Sequence, residues 1–167
     1  MMATAQTNGT VAADPAEIRR ALDLLAVPGG VVEIRGIKIP GYGKPFPAAG
    51  YFTDPDKAAQ AAATLDKRKA VGVYVVLNEI NPALLARSPN QMTDHLETTT
   101  SDNDIIRRRW LPIDFDPTRP SGISSTDAEH DAAETLAREC ADWLREDAGW
   151  PDPPSAASVV VGGFFVS

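Results

Sequence analysis

Asp114 and Asp116 carry the clearest chemical signal in the sequence. Residues two apart on a β-strand point to the same face, so an extended chain would direct both carboxylates to one point. Two negative charges placed so close repel each other unless a cation lies between them. Carboxylate oxygens are hard ligands that favour Mg²⁺ or Mn²⁺, and such ions act on phosphorylated substrates. The pair therefore predicts a magnesium or manganese site.

The spacing of the two aspartates also has a purely structural interpretation. An Asp-x-Asp sequence followed by proline is common where a strand turns, because the acids accept hydrogen bonds from backbone amides. The neighbouring residues favour the metal. The apolar run 110–113 precedes the acids, three arginines precede that run, and the turn 119–122 follows.

Three arginines near the acids are predicted to bind a nucleotide or a nucleic acid. Arg107 and Arg109 come before the pair and Arg119 comes after it. A guanidinium group binds phosphate with two parallel hydrogen bonds. Charged residues that guard a strand edge, or a turn that faces solvent, would explain the same arginines without a ligand.

Composition limits the classes of function that this chain can have. Its 167 residues suit one domain, 43% of them are hydrophobic, and the formal net charge is −7. A basic coat for nucleic acid is excluded, so any contact with a polynucleotide must use a local basic patch or metal ions. The single cysteine, Cys140, excludes an internal disulfide and fits a reducing cytoplasm. No apolar run is long enough to span a membrane.

The elements that must position these residues are both helices and strands. Asp14-Pro15 and Asp54-Pro55 each combine an N-cap with a proline at the first helical position, and Thr126 with Glu129 forms a capping box. The predicted order is a helix from 14, strands at 31–37 and 50–53, a helix from 54, a strand at 71–77, a loop at 88–104, a strand at 107–116 and a helix at 126–148. This order predicts an α+β fold with helices packed on a mixed or antiparallel sheet.

The last helix is predicted to pack through one apolar face, and its remaining polar residues have simple explanations. Its core residues should be Ala133, Leu136, Ala137, Cys140 and Leu144, and packing is also the favoured role of Trp143. His130 lies beside Asp131, either as a corner of a metal site or as a surface histidine. Lys67, Arg68 and Lys69 fit the negative end of a helix dipole.

The region around the two acids resembles a known enzyme family. The run from Thr100 to Pro117 is similar to the first catalytic motif of primase-polymerases of the archaeo-eukaryotic primase superfamily, and the likeness continues from Arg119 to His130. Leu77–Pro82 and Gly149–Pro151 match as well. The likeness is closest to bacterial members associated with phages and mobile elements, and it covers residues 14–154.

The resemblance implies an RRM-like core that makes primers or extends DNA strands from nucleoside triphosphates with Mg²⁺ or Mn²⁺. Asp114 and Asp116 would be the metal-binding acids of the first motif. A DNA template would be a partner, and a helicase domain or protein could be another. Residues 1–13 are then a disordered leader, 14–154 the primase-polymerase region and 155–167 an atypical tail.

The tail departs from the family pattern. After the Gly-Trp-Pro segment the family has a strand with a nucleotide-contacting histidine, whereas this sequence has no histidine after His130. The third metal-binding acid would lie beyond Ser167. We therefore expect a core that is incomplete at its C-terminus and that does not sustain full polymerase activity alone, although residues 155–167 could still form a strand.

Two other functions remain open from the residues. Asp114 to Thr118 superficially matches the Asp-x-Asp-x-Thr loop of haloacid-dehalogenase phosphohydrolases, in which the first aspartate attacks phosphorus. A non-catalytic domain that binds single-stranded nucleic acid through its arginines is the other alternative.

Overall fold

The computed structural model of the chain describes residues 12–96, 98–113, 115–118, 123–150 and 164–166. The chain divides into two compact units, Met1–Arg107 and Arg108–Ser167. Asp114, Arg119 and the predicted leader up to residue 11 lie outside the described residues. Of the predicted tail, only 164–166 is described.

The first unit begins with the two helices whose start signals are legible in the sequence. Helix α1 spans Pro15–Leu25 and helix α2 spans Pro55–Lys67. The side chains of Asp14 and Asp54 accept backbone N–H groups of the first turns, as predicted for N-caps. Between the helices, strand β1 (Val32–Ile39) and strand β2 (Phe46–Phe52) form an antiparallel hairpin.

Four strands form the main sheet of this unit. Strand β3 (Gly72–Val75) pairs with β1, and strand β5 (Thr93–Asp94) pairs with β2, which gives the order β3-β1-β2-β5 with antiparallel pairing throughout. Gly50 of β2 is required by a close approach, since an added Cβ would lie 2.1 Å from the carbonyl oxygen of Gln91.

The two helices cover one face of this sheet. Their small and aliphatic side chains pack on alternate residues of β1 and β2, which explains the alanine-rich sequence of α2. The buried members of this core include Leu22, Ile34, Phe52, Ala59, Ala62 and Leu65. On α1, Leu22 faces this core, whereas the neighbouring Ala21 is exposed.

The opposite face of the sheet is covered by a second, smaller core. A short 3-10 helix at Pro82–Arg87 places Leu84 against Tyr51 and Ile80. Strand β4 (Glu79–Ile80) pairs antiparallel with strand β6 (Ile105–Arg107). The segment 98–104, which leads into β6, is held against the sheet because the backbone of Thr100 binds Glu33 of β1. The sequence predicted only a loop at 88–104.

The second unit contains a strand pair and a long helix. Strand β7 (Leu111–Ile113) pairs antiparallel with strand β8 (Phe164–Val166), so the tail does contain a strand. Helix α3 spans Asp127–Glu146 and begins with the predicted Thr126–Glu129 capping box. Ala137 and Leu144 are buried as predicted, but Leu136 is 55% exposed and Trp143 is 57% exposed, which corrects their placement in the core.

The long strand predicted over 107–116 is interrupted. β6 ends at Arg107 and β7 covers only Leu111–Ile113, while residues 108–110 and 115–117 lie outside regular strands. The fold is a mixture of helices and antiparallel sheet, as predicted. No helix among the described residues has the length and apolar character needed to cross a membrane.

Candidate functional site

The predicted metal site is only partly within the described residues. Asp116 lies in the irregular segment that follows β7, and its residue is exposed. It forms no ion pair with any described residue, so its carboxylate oxygens can accept a ligand. Asp114 and Arg119 lie outside the described residues. Asp116 lies outside any strand, because β7 covers only Leu111–Ile113, and the predicted convergence of its carboxylate with that of Asp114 lies outside the described residues.

The predicted phosphate-binding arginines are all exposed where they are described. Arg107 ends β6, and its Cα is paired across the strands with that of Glu79. Arg108 and Arg109 follow outside any strand. Three consecutive exposed guanidinium groups can bind an anionic ligand. Arg109 already has an interaction within the protein.

Helix α3 offers a second place where a cation could bind. His130, Asp131 and Glu134 each present one ligand atom, and these atoms lie within 4.8 Å of one another. His130 and Asp131 are exposed, and the Glu134 carboxylate already accepts a hydrogen bond from Arg138. An exposed group on one helix with a competing arginine is a weaker cation site than a pair of free carboxylates.

A buried ion pair in the first unit was not anticipated from the sequence. Glu33 on β1 has a fully buried side chain, with 0% exposure. The Arg35 guanidinium group donates to both of its oxygens, at 2.5 Å from Nε to Oε1 and 3.1 Å from Nη2 to Oε2. Such a pair is stable only if the remaining hydrogen-bonding groups are also satisfied.

Thr100 satisfies both members of this ion pair. Its backbone N–H donates to Glu33 Oε2 at 3.0 Å, and its carbonyl oxygen accepts from Arg35 Nη2 at 2.6 Å. Neither carboxylate nor guanidinium can move without breaking a bond to the chain at Thr100. The pair thus fixes the segment that leads into β6 and the arginines.

A second arginine extends this network. Arg87 Nη1 donates to the Thr99 carbonyl oxygen at 3.2 Å and lies 3.9 Å from Asp104 Oδ2. The fully buried Tyr51 places its hydroxyl 3.4 Å from Arg87 and 3.5 Å from the Thr100 hydroxyl. We name these residues the Glu33 cluster: Glu33, Arg35, Tyr51, Arg87, Thr99, Thr100 and Asp104.

Asp104 is held in its charged form. The pKa of its carboxyl group lies below the ordinary value because the backbone N–H and then the hydroxyl of Ser101 donate to it, with a smaller contribution from Arg87. Both donors lie 2.9 Å from Oδ2. The turn 101–104 is therefore closed by a charge-assisted contact.

The Glu33 cluster positions backbone rather than presenting reactive groups. Its acids and arginines are bound to one another, so they offer no open site for a metal or phosphate. A sequence signal for it existed, since Glu33 and Arg35 are oppositely charged and two apart on a predicted strand. The third partner, Thr100, is 67 residues from Glu33 and could not be identified by spacing.

Comparison of the chain with protein-family models, with curated proteins and with solved structures found no match.

Proposed function

We propose that this chain is part of a metal-dependent nucleotidyltransferase of the primase-polymerase type, with Asp114 and Asp116 as its metal-binding residues. The observation that carries the proposal is the position of the acidic motif: strand β7 ends directly before it, and Asp116 is exposed with no ion pair among the described residues. The resemblance of residues 100–130 to a primase-polymerase motif adds the reaction class.

The donor set fits a divalent metal. Carboxylate oxygens at this position match the preference of Mg²⁺ and Mn²⁺ for hard ligands. A bound ion would neutralise charge on the phosphates of a nucleoside triphosphate. Arg107, Arg109 and Arg119 would bind phosphate oxygens and orient the substrate. The partners are then nucleoside triphosphates and a DNA template, with a helicase domain or protein as a further partner.

Binding of Mn²⁺ tests the metal site directly. The full chain should bind Mn²⁺, as measured from the loss of the free-ion signal in electron paramagnetic resonance, and a nucleoside triphosphate should tighten that binding. Asp114→Asn with Asp116→Asn should abolish it. The matched control is His130→Ala with Glu134→Ala, which removes the helix α3 ligands and should leave Mn²⁺ binding unchanged. Loss of binding in the control alone would contradict the proposal.

Primer extension then tests the reaction. We expect little extension by this chain alone, because no histidine follows His130 in its sequence, whereas the family pattern has a nucleotide-contacting histidine there. Extension that requires Asp114 and Asp116 would establish the activity and correct that expectation. A stable fluoroberyllate adduct on Asp114 would instead favour the phosphohydrolase alternative. Nucleic-acid binding by a chain that does not bind Mn²⁺ would favour the non-catalytic one.

A further inference from the structure

One end of the four-stranded sheet gathers most of the lysines of the chain. In the β1–β2 hairpin, Lys38 lies near the end of β1 and Lys44 lies in the loop before β2. Lys67 is the last residue of α2, and Lys69 follows two residues later. All four are exposed. They are four of the five lysines in the sequence. We call this group the lysine end (Lys38, Lys44, Lys67 and Lys69).

The hairpin and the end of α2 are brought together by specific contacts. Arg68 forms a two-bond ion pair with Asp94 of β5, at 2.9 and 2.8 Å, and its guanidinium carbon lies 5.6 Å from the centre of the Phe46 ring. The ring of His95 stacks on the same Phe46 ring, with 4.3 Å between the ring centres. The N–H of Val71 donates to the carbonyl of Ile37 at 3.0 Å. These contacts fix the end of α2, which carries Lys67 and Lys69, to the hairpin, which carries Lys38 and Lys44.

This end is locally positive although the chain is acidic. Within residues 37–46, 66–72 and 93–96 there are five lysines and arginines against two aspartates, a net charge of +3 where the whole chain has −7. One of the two aspartates, Asp94, is occupied by Arg68. Among the described residues, the only lysine that forms an ion pair is Lys57, which lies outside this group.

Two of the lysines are held in a backbone conformation that ordinarily selects glycine. Lys38 has φ 50° and Lys69 has φ 63°. Lys69 occupies the position after the α2 C-cap, where the Lys69 N–H bonds the Asp66 carbonyl and the Ala70 N–H bonds the Leu65 carbonyl. A side chain there costs stability that glycine would avoid. A charged side chain at a strained backbone position favours a functional role over a structural one.

An aromatic residue lies in the same hairpin loop as Lys44. Tyr42 at the hairpin tip is fully exposed. Gly41 lets the loop lie against Phe46, since an added Cβ at Gly41 would be 2.7 Å from that ring. An exposed ring and ammonium groups at the same end of the sheet provide both contacts that a single strand needs, stacking of a base and neutralisation of its phosphates.

We propose that the lysine end, with Tyr42, binds single-stranded nucleic acid through its phosphate backbone. The surface lies wholly within the first unit and uses neither Asp114 nor Asp116. It is the local basic patch that an acidic chain needs for any polynucleotide contact, and it needs no metal ion. Lysine contacts to phosphates carry no sequence information, so binding is independent of base sequence.

Fluorescence anisotropy with a labelled oligothymidylate tests this surface, using the full chain in EDTA at low salt. The affinity should fall with salt with a log–log slope of about −3 for four phosphate contacts. Replacing all four lysines by glutamine should weaken binding at least about tenfold and flatten the slope. Tyr42→Ala should weaken binding about fivefold or more without changing the slope.

The control is Lys57→Gln, which removes the one lysine outside the group and should change affinity less than twofold. An equal loss in Lys57→Gln, or no binding of the oligonucleotide by the wild-type chain, would overturn the proposal. Binding to phosphatidylserine vesicles without binding to the oligonucleotide would also overturn it. Asp114→Asn with Asp116→Asn should bind the oligonucleotide normally, which separates this surface from the metal site.

Discussion

The Glu33 cluster and the lysine end belong to the same sheet but use their charges in opposite ways. In the Glu33 cluster, Arg35 and Arg87 meet carboxylates and backbone carbonyls within the protein. At the lysine end, four ammonium groups face solvent. In this unit, therefore, the arginines of the Glu33 cluster stabilise the fold, whereas the lysines of the lysine end, which form no ion pair among the described residues, are available to a ligand.

The energetic consequences of the two arrangements differ accordingly. A buried carboxylate that loses its partners keeps its desolvation cost, so the Glu33 cluster is sensitive to any single change. Exposed like charges repel one another weakly and are screened by salt, so the lysine end should tolerate neutralisation. Substitutions in the Glu33 cluster should therefore change the stability of the protein, and substitutions at the lysine end should change its binding of polyanions.

The largest expected effect is on the Glu33 cluster. Glu33→Ala leaves Arg35 and the Thr100 N–H without their acceptor and should lower the free energy of unfolding by about 3 kcal/mol. We place the loss at the low end for a buried pair because the Arg35 side chain is 30% exposed and can be hydrated. Urea denaturation of the full chain measures this change.

The matched control for that experiment is Glu17→Ala. Glu17 also pairs with an arginine, Arg20, but both side chains are mostly exposed. Its loss should cost less than about 1 kcal/mol, as for other surface ion pairs. Equal effects of the two substitutions would mean that burial of Glu33 has no energetic consequence, which would contradict the distinction between the regions.

A smaller effect of opposite sign is expected at the lysine end. Lys69→Gly removes a side chain from a left-handed backbone position and should stabilise the protein by about 0.5–1 kcal/mol. Lys67→Gly removes the same charge from the last turn of α2 and should destabilise by about 1 kcal/mol. Thermal unfolding distinguishes them, and destabilisation by both would show that the Lys69 conformation is not strained.

The smallest effect concerns the pH dependence of the Glu33 cluster. The lowered pKa of Asp104 means that its contribution to stability is present at neutral pH and is lost as the pH falls through the folded-state value. Ser101→Ala removes one of the two donors and should raise that pKa, which weakens the acid-side pH dependence. Carbon NMR of the carboxyl group reports the shift, and Arg87→Gln should produce a smaller one. A larger shift in Arg87→Gln would show that charge, rather than hydrogen bonding, dominates.

Local signals in the sequence predicted the helices well. Asp14-Pro15, Asp54-Pro55 and Thr126 with Glu129 each act within one helical turn, and all three helix starts are confirmed. The strands were predicted less accurately, because a strand is stabilised by partners that are distant in sequence. The predicted loop before β6 contains β5, whose partner β2 lies more than forty residues earlier.

The core of α3 shows the limit of periodicity. Leu136 lies one position before the buried Ala137, and a helical pattern by itself could not decide which of these neighbours faces inward. The metal-binding role of Asp114 and Asp116 stays a prediction that rests on residue type, spacing and resemblance.

The sequence by itself determined where the helices begin and that the chain combines helices with strands, because these depend on residues close in the chain. That its acids and arginines act on phosphates stays a prediction from residue type and spacing. Only the tertiary structure decided that Glu33 binds Arg35 and Thr100, and that Lys38, Lys44, Lys67 and Lys69 share one end of a sheet. The reason is that charges interact through space. Strand pairing brings together residues that are far apart in the sequence, and their separation along the chain does not indicate that they will be neighbours.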